Sequence, residues 1–383
     1  MAKIKKTNLL KKQKNLKHTN YKLGELFCGG GGIGLGAKNA HVATDLEEIS
    51  ITHTWANDYD QDSCETYKAN LVDGLETSVI CEDVRNLDIS SLESIDGFTF
   101  GFPCNDFSIV GEQQGFDGKF GPLYTYGVRV LKKLQPKWFI AENVSGLSSA
   151  NSGSAFAQIL EDLKGSGYLI TPHLYEFEKY GVPQSRHRIV VVGIRSDLEL
   201  LFKVPAPTHI KYISSQHAIE NPPIKPDAPN NELTKQSHQV IERLKHIKPG
   251  QNAFNSSIPS ELQLNVKGAK LSQIYKRLNP DLPSYTVTGS GGGGTHVYHW
   301  KENRALTNRE RARLQSFPDD YVFMGGKESV RKQIGMAVPP LAAKIIIESV
   351  LKTLHNISYD YTPQNIDDLG TKIKKHNLQT KIN

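Results

Sequence analysis

Short apolar runs alternate with amphipathic stretches between Leu23 and Arg195. The apolar runs predict six strands, at Leu23–Cys28, His53–Asn57, Ser78–Cys81, Phe98–Phe102, Trp138–Ala141 and Arg188–Ile194. The amphipathic stretches predict helices, among them Ser63–Leu71, Leu123–Leu134 and Ala155–Leu163. Strands that alternate with helices favour a parallel sheet with crossover connections, so the expected fold class is a doubly wound α/β domain.

The pattern changes near Leu200. Residues 204–260 are rich in Pro, Asn, Ser, Gln and His and show little periodicity, which predicts a second, smaller and irregular domain. The glycine run at 289–294 predicts a loop. Order returns with a helix over Thr307–Phe317, where Thr307 and Glu310 have the spacing of a capping box, and with an apolar helix over Leu341–Leu354.

These changes divide the chain into four parts. We expect a basic arm over residues 1–20, a large domain over 20–195 that is completed by 329–355, a small domain over 196–328, and a polar tail over 356–383 that is loosely held. A chain of 383 residues, 38% of them hydrophobic, is long enough for more than one core. No internal repeat is visible in the sequence.

The formal charge of +6 is unevenly distributed. Residues 1–22 contain eight lysines and no acid, so +6 less these eight leaves −2 for the other residues. A run of like charges is most often only solvated, and contact with nucleic-acid phosphates is the alternative. The charge therefore does not by itself identify a polyanionic partner.

Apolar runs and cysteines exclude several other classes. No apolar run approaches the roughly 20 residues that cross a bilayer, and no signal-peptide pattern follows the basic N-terminus, so we expect a cytoplasmic protein without membrane contact. The four cysteines, Cys28, Cys64, Cys81 and Cys104, form no CxxC pair. We therefore expect neither a metal site nor a disulfide framework, and at least one cysteine is left for burial or chemistry.

The first predicted strand leads into a glycine-rich turn, Phe27 to Gly34. Such a turn lets backbone N–H groups approach a ligand, although many α/β proteins, including nicotinamide enzymes, share it. Asp58 ends the second strand, where a carboxylate can hold a ribose diol, and Asp83 follows the third, where it can accept from an adenine amino group. Either acid alone is as well explained as a turn residue or helix cap. The ordered series predicts an adenosine-containing cofactor without specifying it.

Candidate catalytic residues follow the fourth and fifth strands. Cys104 stands in the loop Gly101–Ser108, and Glu142 ends the fifth strand. An isolated cysteine is more often a buried small hydrophobe. Ligands of open α/β sheets bind at the carboxyl ends of strands, and if these two strands are neighbours the two side chains share a pocket. A thiolate and an acid placed together can attack one ring carbon and protonate a ring nitrogen.

Two arginines precede the last strand, in the segment Gln184–Arg188. Arg186 and Arg188 are two residues apart, so on an extended segment they point the same way and could both reach a carbonyl or phosphate in that pocket. Without the other motifs, a solvated strand start would be the better interpretation of this pair.

Taken in order, these segments resemble the cytosine-C5 DNA methyltransferase family, of the bacterial restriction-modification type. The resemblance spans residues 23–350 except the variable middle, and its blocks are Phe27–Gly32, Asn57–Tyr59, Pro103-Cys104, Glu142–Val144, Gln184–Arg188, Arg304–Thr307, Leu314–Asp319 and Gly335–Pro340. It implies a Rossmann-like methyltransferase domain and a target-recognition domain before Thr286. Pro283–Val287 is similar to the Thr-containing block late in that domain.

The resemblance also implies a mechanism. A flipped-out cytosine would be attacked at C6 by Cys104 and protonated or hydrogen-bonded at N3 by Glu142, while Arg188, aided by Arg186, would hold its O2. Residues that surround S-adenosylmethionine would be Phe27, Gly29, Gly31, Gly32, Ile33, Asp58, Tyr59, Asp83, Val84, Pro103, Leu123, Met336 and Ala337. The implied partners are double-stranded DNA and, in the same system, a cognate restriction endonuclease without direct contact. We expect a monomer in the cytoplasm, associated with the nucleoid.

Four positions depart from the family pattern. Asn105 stands where Gln is usual, Met336 where Asn is usual, Glu25 where Asp is common, and Pro122 interrupts the usual Gly-x-Leu step. Three other functions compete with the main one. A transfer-RNA cytosine-C5 methyltransferase shares the chemistry but has a much shorter recognition segment; a nicotinamide oxidoreductase would not need Cys104 or Glu142; and an inactive DNA-binding relative would not retain them.

Overall fold

The computed structural model describes residues 16–103, 123–147, 153–254, 257–264, 272–289, 294–367 and 369–373. Its strands are β1 (Lys17–Leu26), β2 (Val42–Ala43), β3 (Glu47–Asp58), β4 (Val79–Cys81), β5 (Gly97–Gly101), β6 (Trp138–Val144), β7 (Tyr168–Glu176), β8 (Gln184–Ser185), β9 (His187–Arg195), β10 (Val204–Pro205), β11 (Ser284–Tyr285) and β12 (Tyr361–Thr362). Its α-helices are α1 (Gly32–Lys38), α2 (Gln61–Leu71), α3 (Tyr124–Leu134), α4 (Ser154–Lys164), α5 (Ser215–Glu220), α6 (His238–Lys245), α7 (Asn308–Leu314), α8 (Lys327–Met336) and α9 (Pro340–Leu354).

The main sheet has the order β2-β3-β1-β5-β6-β9-β7, with β4 beside β3. The strands β1, β3, β4, β5 and β6 are parallel, as the alternating pattern predicts, and the α/β fold class is confirmed. In contrast, β9 runs antiparallel to both β6 and β7. The sheet is therefore mixed rather than wholly parallel.

The sequence did not predict β7, because Pro172 interrupts an otherwise strand-like run. Proline cannot donate to a sheet ladder and is tolerated mainly in edge strands. The structure is consistent with this rule, since β7 stands at the end of the sheet order and pairs on one side with β9, where Pro172 lies opposite Val191.

Two apolar layers cover the faces of the sheet. Along β6, Phe139 and Ala141 pack in one layer with α3 and α4, whereas Trp138 and Ile140 pack in the other with α9. This period of two places helices on both faces, as in a doubly wound sheet. It also leaves the carboxyl ends of the strands uncovered by either layer.

The predicted small domain has a core of its own, formed by Leu244, Ile247, Ile258, Tyr275, Tyr298 and Ala305. A further cluster joins later segments to the large domain, because Leu314, Phe317 and Ile334 pack with residues of α2 such as Tyr67. The N-cap and capping box predicted at Thr307 are present, with its side chain accepting from the Glu310 N–H.

Both ends of the described chain are more ordered than the sequence predicts. β1 begins at Lys17, inside the predicted arm, and Lys17 forms an ion pair of 2.8 Å with Glu47. After α9, β12 pairs with β10, and Asn365 exchanges two hydrogen bonds with the backbone of Leu174. The expectation of a loosely held tail was wrong here, because Ile366 is buried in the main core despite its polar neighbours.

Among the described residues, one helical stretch, Lys327–Leu354, would be able to cross a membrane by length and composition alone, and its apolar window has a mean hydropathy of 1.6. It contains α8 and α9, and 72% of its apolar window is buried inside the protein. Its apolar character therefore reflects packing against the sheet.

Candidate active site

A cavity of about 750 Å³ opens at the carboxyl ends of the parallel strands. Ten residues predicted from the sequence line it: Phe27, Tyr59, Asp83, Val84, Pro103, Leu123, Glu142, Arg186, Arg188 and Met336. A smaller cavity of about 140 Å³ adjoins it, lined among others by the predicted residues Gly29, Gly32, Ile33, Asp58 and Ala337. Of the predicted set, Gly31 lines neither, and Cys104 lies outside the described residues.

Glu142 and Arg188 form an ion pair inside the larger cavity. Their strands β6 and β9 are antiparallel neighbours, and the Arg188 Nε lies 3.0 Å from the Glu142 Oε1. The two side chains are only 12% and 13% exposed. Burial raises the pKa of Glu142, and the charges of Arg188 and Arg186 oppose that rise. The carboxyl therefore holds a proton more readily than a free glutamate does.

Arg186 has a different environment, although it was expected to resemble Arg188. It falls between β8 and β9, outside the strand ladder, and is 1% exposed. Its guanidinium donates to the carbonyl oxygens of Val287, at 3.1 Å, and Gly335, at 3.0 Å. Arg186 therefore lines the cavity and joins two segments distant in sequence, while Arg188 forms the ion pair with Glu142.

Asn143 holds the residues that immediately precede Cys104 in the sequence. Its side-chain amide donates to the carbonyl of Phe102 at 3.0 Å, and its oxygen accepts from the Val144 N–H at 2.8 Å. The strands also place Gly101 opposite Glu142. The residues just before Cys104 are thereby held against the strand that carries Glu142, which fulfils the condition that these two strands are neighbours.

The glycine turn is organised by Asp58. One carboxylate oxygen accepts from the Gly29 N–H at 2.8 Å and the other from the Asp60 N–H at 3.0 Å. Phe27, Gly29 and Gly31 all have left-handed backbone angles, with φ of 54°, 52° and 79°. A side chain on Gly29 would meet open space, whereas one on Gly31 would meet Tyr321 at 2.5 Å. Gly29 thus faces the cavity, and Gly31 serves close packing behind it.

Asp83 carries a partner that the sequence analysis did not identify. Arg85, two residues on, donates its backbone N–H and its Nε to the carboxylate at 3.0 and 2.9 Å. Arg85 also lines the larger cavity. The signal that could have found it is the short spacing of an acid and an arginine in a turn. Val84, between them, is buried and contributes an apolar wall.

The other cysteines are poor candidates for a nucleophile. Cys28 and Cys64 are buried, and burial raises the pKa of both thiols, which disfavours the reactive thiolate. Cys81 is partly exposed, but its thiol contacts the Gln61 side chain and it lines neither cavity.

Two residues of segments that resemble the family, Gln184 and Gln315, hold the surrounding structure together and do not line either cavity. Gln184 donates to the side chain of Gln315 at 2.8 Å and accepts from the Val287 N–H at the same distance. The Gln315 amide in turn donates to the Ile334 carbonyl at 2.6 Å. Four segments, around Gln184, Val287, Gln315 and Ile334, are therefore connected by two buried amides.

The cavities fit an adenosine-containing methyl donor. Gly29 leaves open space above the turn, the Asp58 and Asp83 carboxylates lie along the wall, and Phe27 and Val84 supply apolar surface. About 750 Å³ also lies within the usual range for cofactor sites.

The α/β fold is similar to those of two solved structures. A protein assigned as a DNA modification methyltransferase, encoded in an E. coli prophage, superposes with a TM-score of 0.67 at 24% identity, over 87% of this chain and 99% of that one. A Spodoptera frugiperda DNMT2 variant gives a TM-score of 0.60 at 15% identity, over 86% and 99%. At such identities the likeness concerns the fold.

Sequence comparison identifies the family. The model of the C-5 cytosine-specific DNA methylases matches residues 21–352. The chain is 59% identical to the type II methyltransferase M.BbvI of Brevibacillus brevis, over 88% of this chain and 93% of that protein. It is 40% identical to M.NgoFVII of Neisseria gonorrhoeae, over 86% of each. The chain belongs to the C-5 cytosine-specific DNA methylase family and is a DNA (cytosine-5-)-methyltransferase.

Proposed function

We propose that the protein transfers a methyl group from S-adenosylmethionine to C5 of a flipped-out cytosine, in a specific short sequence of duplex DNA, through a covalent bond to Cys104. The observation that carries this proposal is the buried pair of Glu142 and Arg188, 3.0 Å apart beside the loop that leads to Cys104. A buried acid with a raised pKa suits proton donation to a ring nitrogen.

In the proposed reaction the Cys104 thiolate attacks C6 of the cytosine. Glu142 donates its proton toward N3, so that the charge developing on the ring is neutralised, and Arg188 directs its guanidinium to O2. C5, which this attack makes nucleophilic, would then take the methyl group from the sulfonium of bound S-adenosylmethionine, whose S–CH3 bond breaks to leave the neutral thioether S-adenosylhomocysteine. A base then removes the C5 proton, the bond to the thiolate breaks, and the aromatic ring is restored. Arg186 acts indirectly, by fixing the segments behind the cavity.

The cofactor would lie across the two cavities. Asp58 is placed to accept from the ribose hydroxyls, Asp83 from the adenine amino group, and Phe27 to contact the ring face. The walls around them would come from Gly29, Gly32, Ile33, Tyr59, Val84, Pro103, Leu123, Met336 and Ala337, with Gly31 shaping the turn from behind. Support comes from the arrangement of most of these residues around adjoining cavities.

Covalent trapping tests the nucleophile. Duplex DNA with 5-fluorocytosine at the target should form a stable adduct in the presence of S-adenosylmethionine, because fluorine cannot leave as a proton does. Bisulfite sequencing of DNA from cells that express the protein supplies the target. Cys104→Ala should abolish the adduct, and Cys81→Ala, a matched cysteine outside both cavities, should retain it. An adduct that persists in Cys104→Ala would refute the assignment.

Duplex DNA is favoured over transfer RNA as the substrate. The segment before Thr286 is long, it has its own core around Leu244 and Tyr298, and the chain is 59% and 40% identical to two proteins named as type II methyltransferases. We assign target recognition to residues 196–300, within the small domain of 196–328. Methylation of a transfer-RNA transcript, without methylation of plasmid DNA, would favour the transfer-RNA enzyme instead.

The cellular setting follows from the same proposal. We infer a modification enzyme of a restriction-modification system, acting as a monomer on the nucleoid in the cytoplasm, with a cognate endonuclease that recognises the same site without contacting this protein. The similarity to named type II methyltransferases supports this setting. A cell that tolerates the endonuclease only when this gene is expressed would establish the pairing.

A further inference from the structure

Lys332 lies where the two cavities meet. Seven residues line both cavities, and Lys332 and Glu142 are the charged ones among them. Lys332 is exposed on α8, and its ammonium lies 5.9 Å from the ring centre of Tyr59, another shared residue. Neither Asp83, Asp58 nor the glycine turn supplies a positive charge, so Lys332 differs in kind from the residues already assigned to the cofactor.

The other cationic side chains of the larger cavity already have partners. Arg85 is paired with Asp83, Arg188 with Glu142, and Arg186 donates to two carbonyls. Within the part of the chain that the structure describes, Lys332 has no carboxylate within ion-pair distance. Its ammonium is therefore available to an anionic group of a ligand.

Neighbouring contacts fix α8 against the glycine turn. Gln333 accepts from Thr66 at 2.7 Å and donates to the Met324 carbonyl at 2.9 Å. A side chain on Gly30 would lie 3.1 Å from the Gln333 amide oxygen, so the helix and the turn are in close contact. Lys332 thus projects from a helix whose position relative to the turn is set by packing.

The charges around the smaller cavity are complementary to an amino acid. Its wall contains the carboxyl groups of Asp58 and Asp60 together with the buried acids Glu25 and Glu142, and Lys332 is its cationic residue among those described. Met336, which also lines both cavities, has a thioether that cannot donate a hydrogen bond. An α-amino acid end carries one ammonium and one carboxylate, and the carboxylate needs the cation that Lys332 provides.

We propose that Lys332 binds the α-carboxylate of the cofactor's amino acid portion and so positions it between the two cavities. This inference rests on the proposed use of S-adenosylmethionine. The rival role for an exposed lysine at the rim is contact with a DNA phosphate, which the test below distinguishes.

The test compares two ligands that differ by the amino acid portion. S-adenosylhomocysteine has it, and 5′-methylthioadenosine replaces it with a methyl group. Lys332→Met should weaken S-adenosylhomocysteine binding by roughly 5- to 30-fold, the range for a partly exposed charged contact, and change 5′-methylthioadenosine binding by less than about twofold. Lys332→Arg should restore most of the affinity. Lys132→Met, an exposed lysine at the far end of α3, is the charge-matched control. Calorimetry measures all four proteins without DNA.

Each other outcome overturns the proposal. Equal losses for both ligands would indicate a displaced helix rather than a lost carboxylate contact. Unchanged binding of both, with weaker DNA binding and a smaller salt dependence, would make Lys332 a phosphate contact. If the parent protein binds neither ligand, the proposed cofactor itself fails; if it binds S-adenosylhomocysteine and Lys332→Met binds it equally, only the assignment of Lys332 fails.

Discussion

The two halves of the active-site cavity are built by different means. The half assigned to the base uses side chains on neighbouring strands, and two of them, Glu142 and Arg188, are in contact at 3.0 Å. The half assigned to the cofactor uses turns at strand ends, and its carboxylate, Asp58, is held by two backbone N–H groups. The positions of the side chains in the first half are set by the register of the sheet. Those in the second half are set by the backbone conformation of the turns. Substitutions should therefore separate chemistry from cofactor binding.

The largest effect is expected at Glu142. Glu142→Gln removes the proton donor but keeps the size of the side chain, so turnover should fall by roughly 10²- to 10⁴-fold, the usual range for general acid–base catalysis. The affinity for S-adenosylmethionine should stay within about twofold, because glutamine keeps the size and shape of the side chain that Glu142 presents to both cavities. Steady-state methylation and calorimetry measure the two quantities. A large loss of cofactor affinity in a folded variant would mean that the halves are not separable.

Asp58 should give the opposite signature. Asp58→Ala removes the proposed acceptor of the ribose hydroxyls and also frees the Gly29 N–H, so cofactor binding should weaken by roughly 1.5–3 kcal/mol. The choice of target sequence should not change. Asp45→Ala, on the exposed surface, is the charge-matched control. If the dissociation constant of Asp58→Ala equals that of the parent, Asp58 shapes the turn without contacting the ligand.

The next prediction concerns Glu25, which lines the smaller cavity, and the pH dependence of the free energy of unfolding. It is fully buried, accepts from Thr99 at 2.9 Å, and burial raises its pKa to about 8. When a carboxyl has a higher pKa in the folded protein than in the unfolded chain, the unfolded chain loses its proton first as pH rises. Ionisation in the unfolded chain then lowers the free energy of unfolding. Stability should therefore fall as pH rises from about 4.5 to about 8 and then level off. Glu25→Gln should remove this contribution.

Urea unfolding of both proteins at several pH values checks the prediction. The advantage of Glu25→Gln should grow by about 1 kcal/mol for each pH unit across that window and be smallest near pH 5. Equal pH profiles for the two proteins would show that Glu25 ionises normally in the folded state.

The smallest effect is expected from the basic arm, outside both halves. Residues 1–15 contain six lysines and no acid, and they precede the ordered Lys17. Deleting them should weaken DNA binding less than about tenfold and reduce its salt dependence, since a run of lysines without acids is expected to contact phosphates rather than base edges. The methylated sequence should be unchanged in bisulfite reads. A new target site would mean that the arm contributes to recognition.

The sequence alone predicted those features of the fold that depend on a single segment of the chain. Six strands (β1, β3, β4, β5, β6 and β9), the helix α9 and the capping box at Thr307 follow from local pattern, and the family resemblance identified many of the residues around the cavity. The antiparallel direction of β9 could not be predicted, because an apolar run is the same whether the strand pairs in a parallel or an antiparallel direction. The packed tail was also missed, since burial of Ile366 depends on a sheet edge distant in sequence.

Within the site, side-chain partners were harder to predict than positions. Arg186 and Arg188 look equivalent in the sequence, and only the break between β8 and β9 gives them different neighbours. The pairing of Arg85 with Asp83 depends on the shape of one turn. The role proposed for Cys104 rests on the sequence and remains a prediction, because that residue lies outside those described.

The buried bonds of Arg186 also limit how recognition segments can be exchanged between relatives. Its guanidinium donates to the Val287 carbonyl. Gly335 packs so closely against the same segment that a side chain there would lie 2.0 Å from the Gly289 nitrogen. These contacts of Arg186, Val287, Gly289 and Gly335 form a joint between the segments. A chimera cut before Ser284 leaves this joint within one parent, whereas a cut between Val287 and Gly335 mixes two parents across it. New sequence specificities should therefore be acquired by replacing loops upstream of the joint, and its two sides should evolve as one unit.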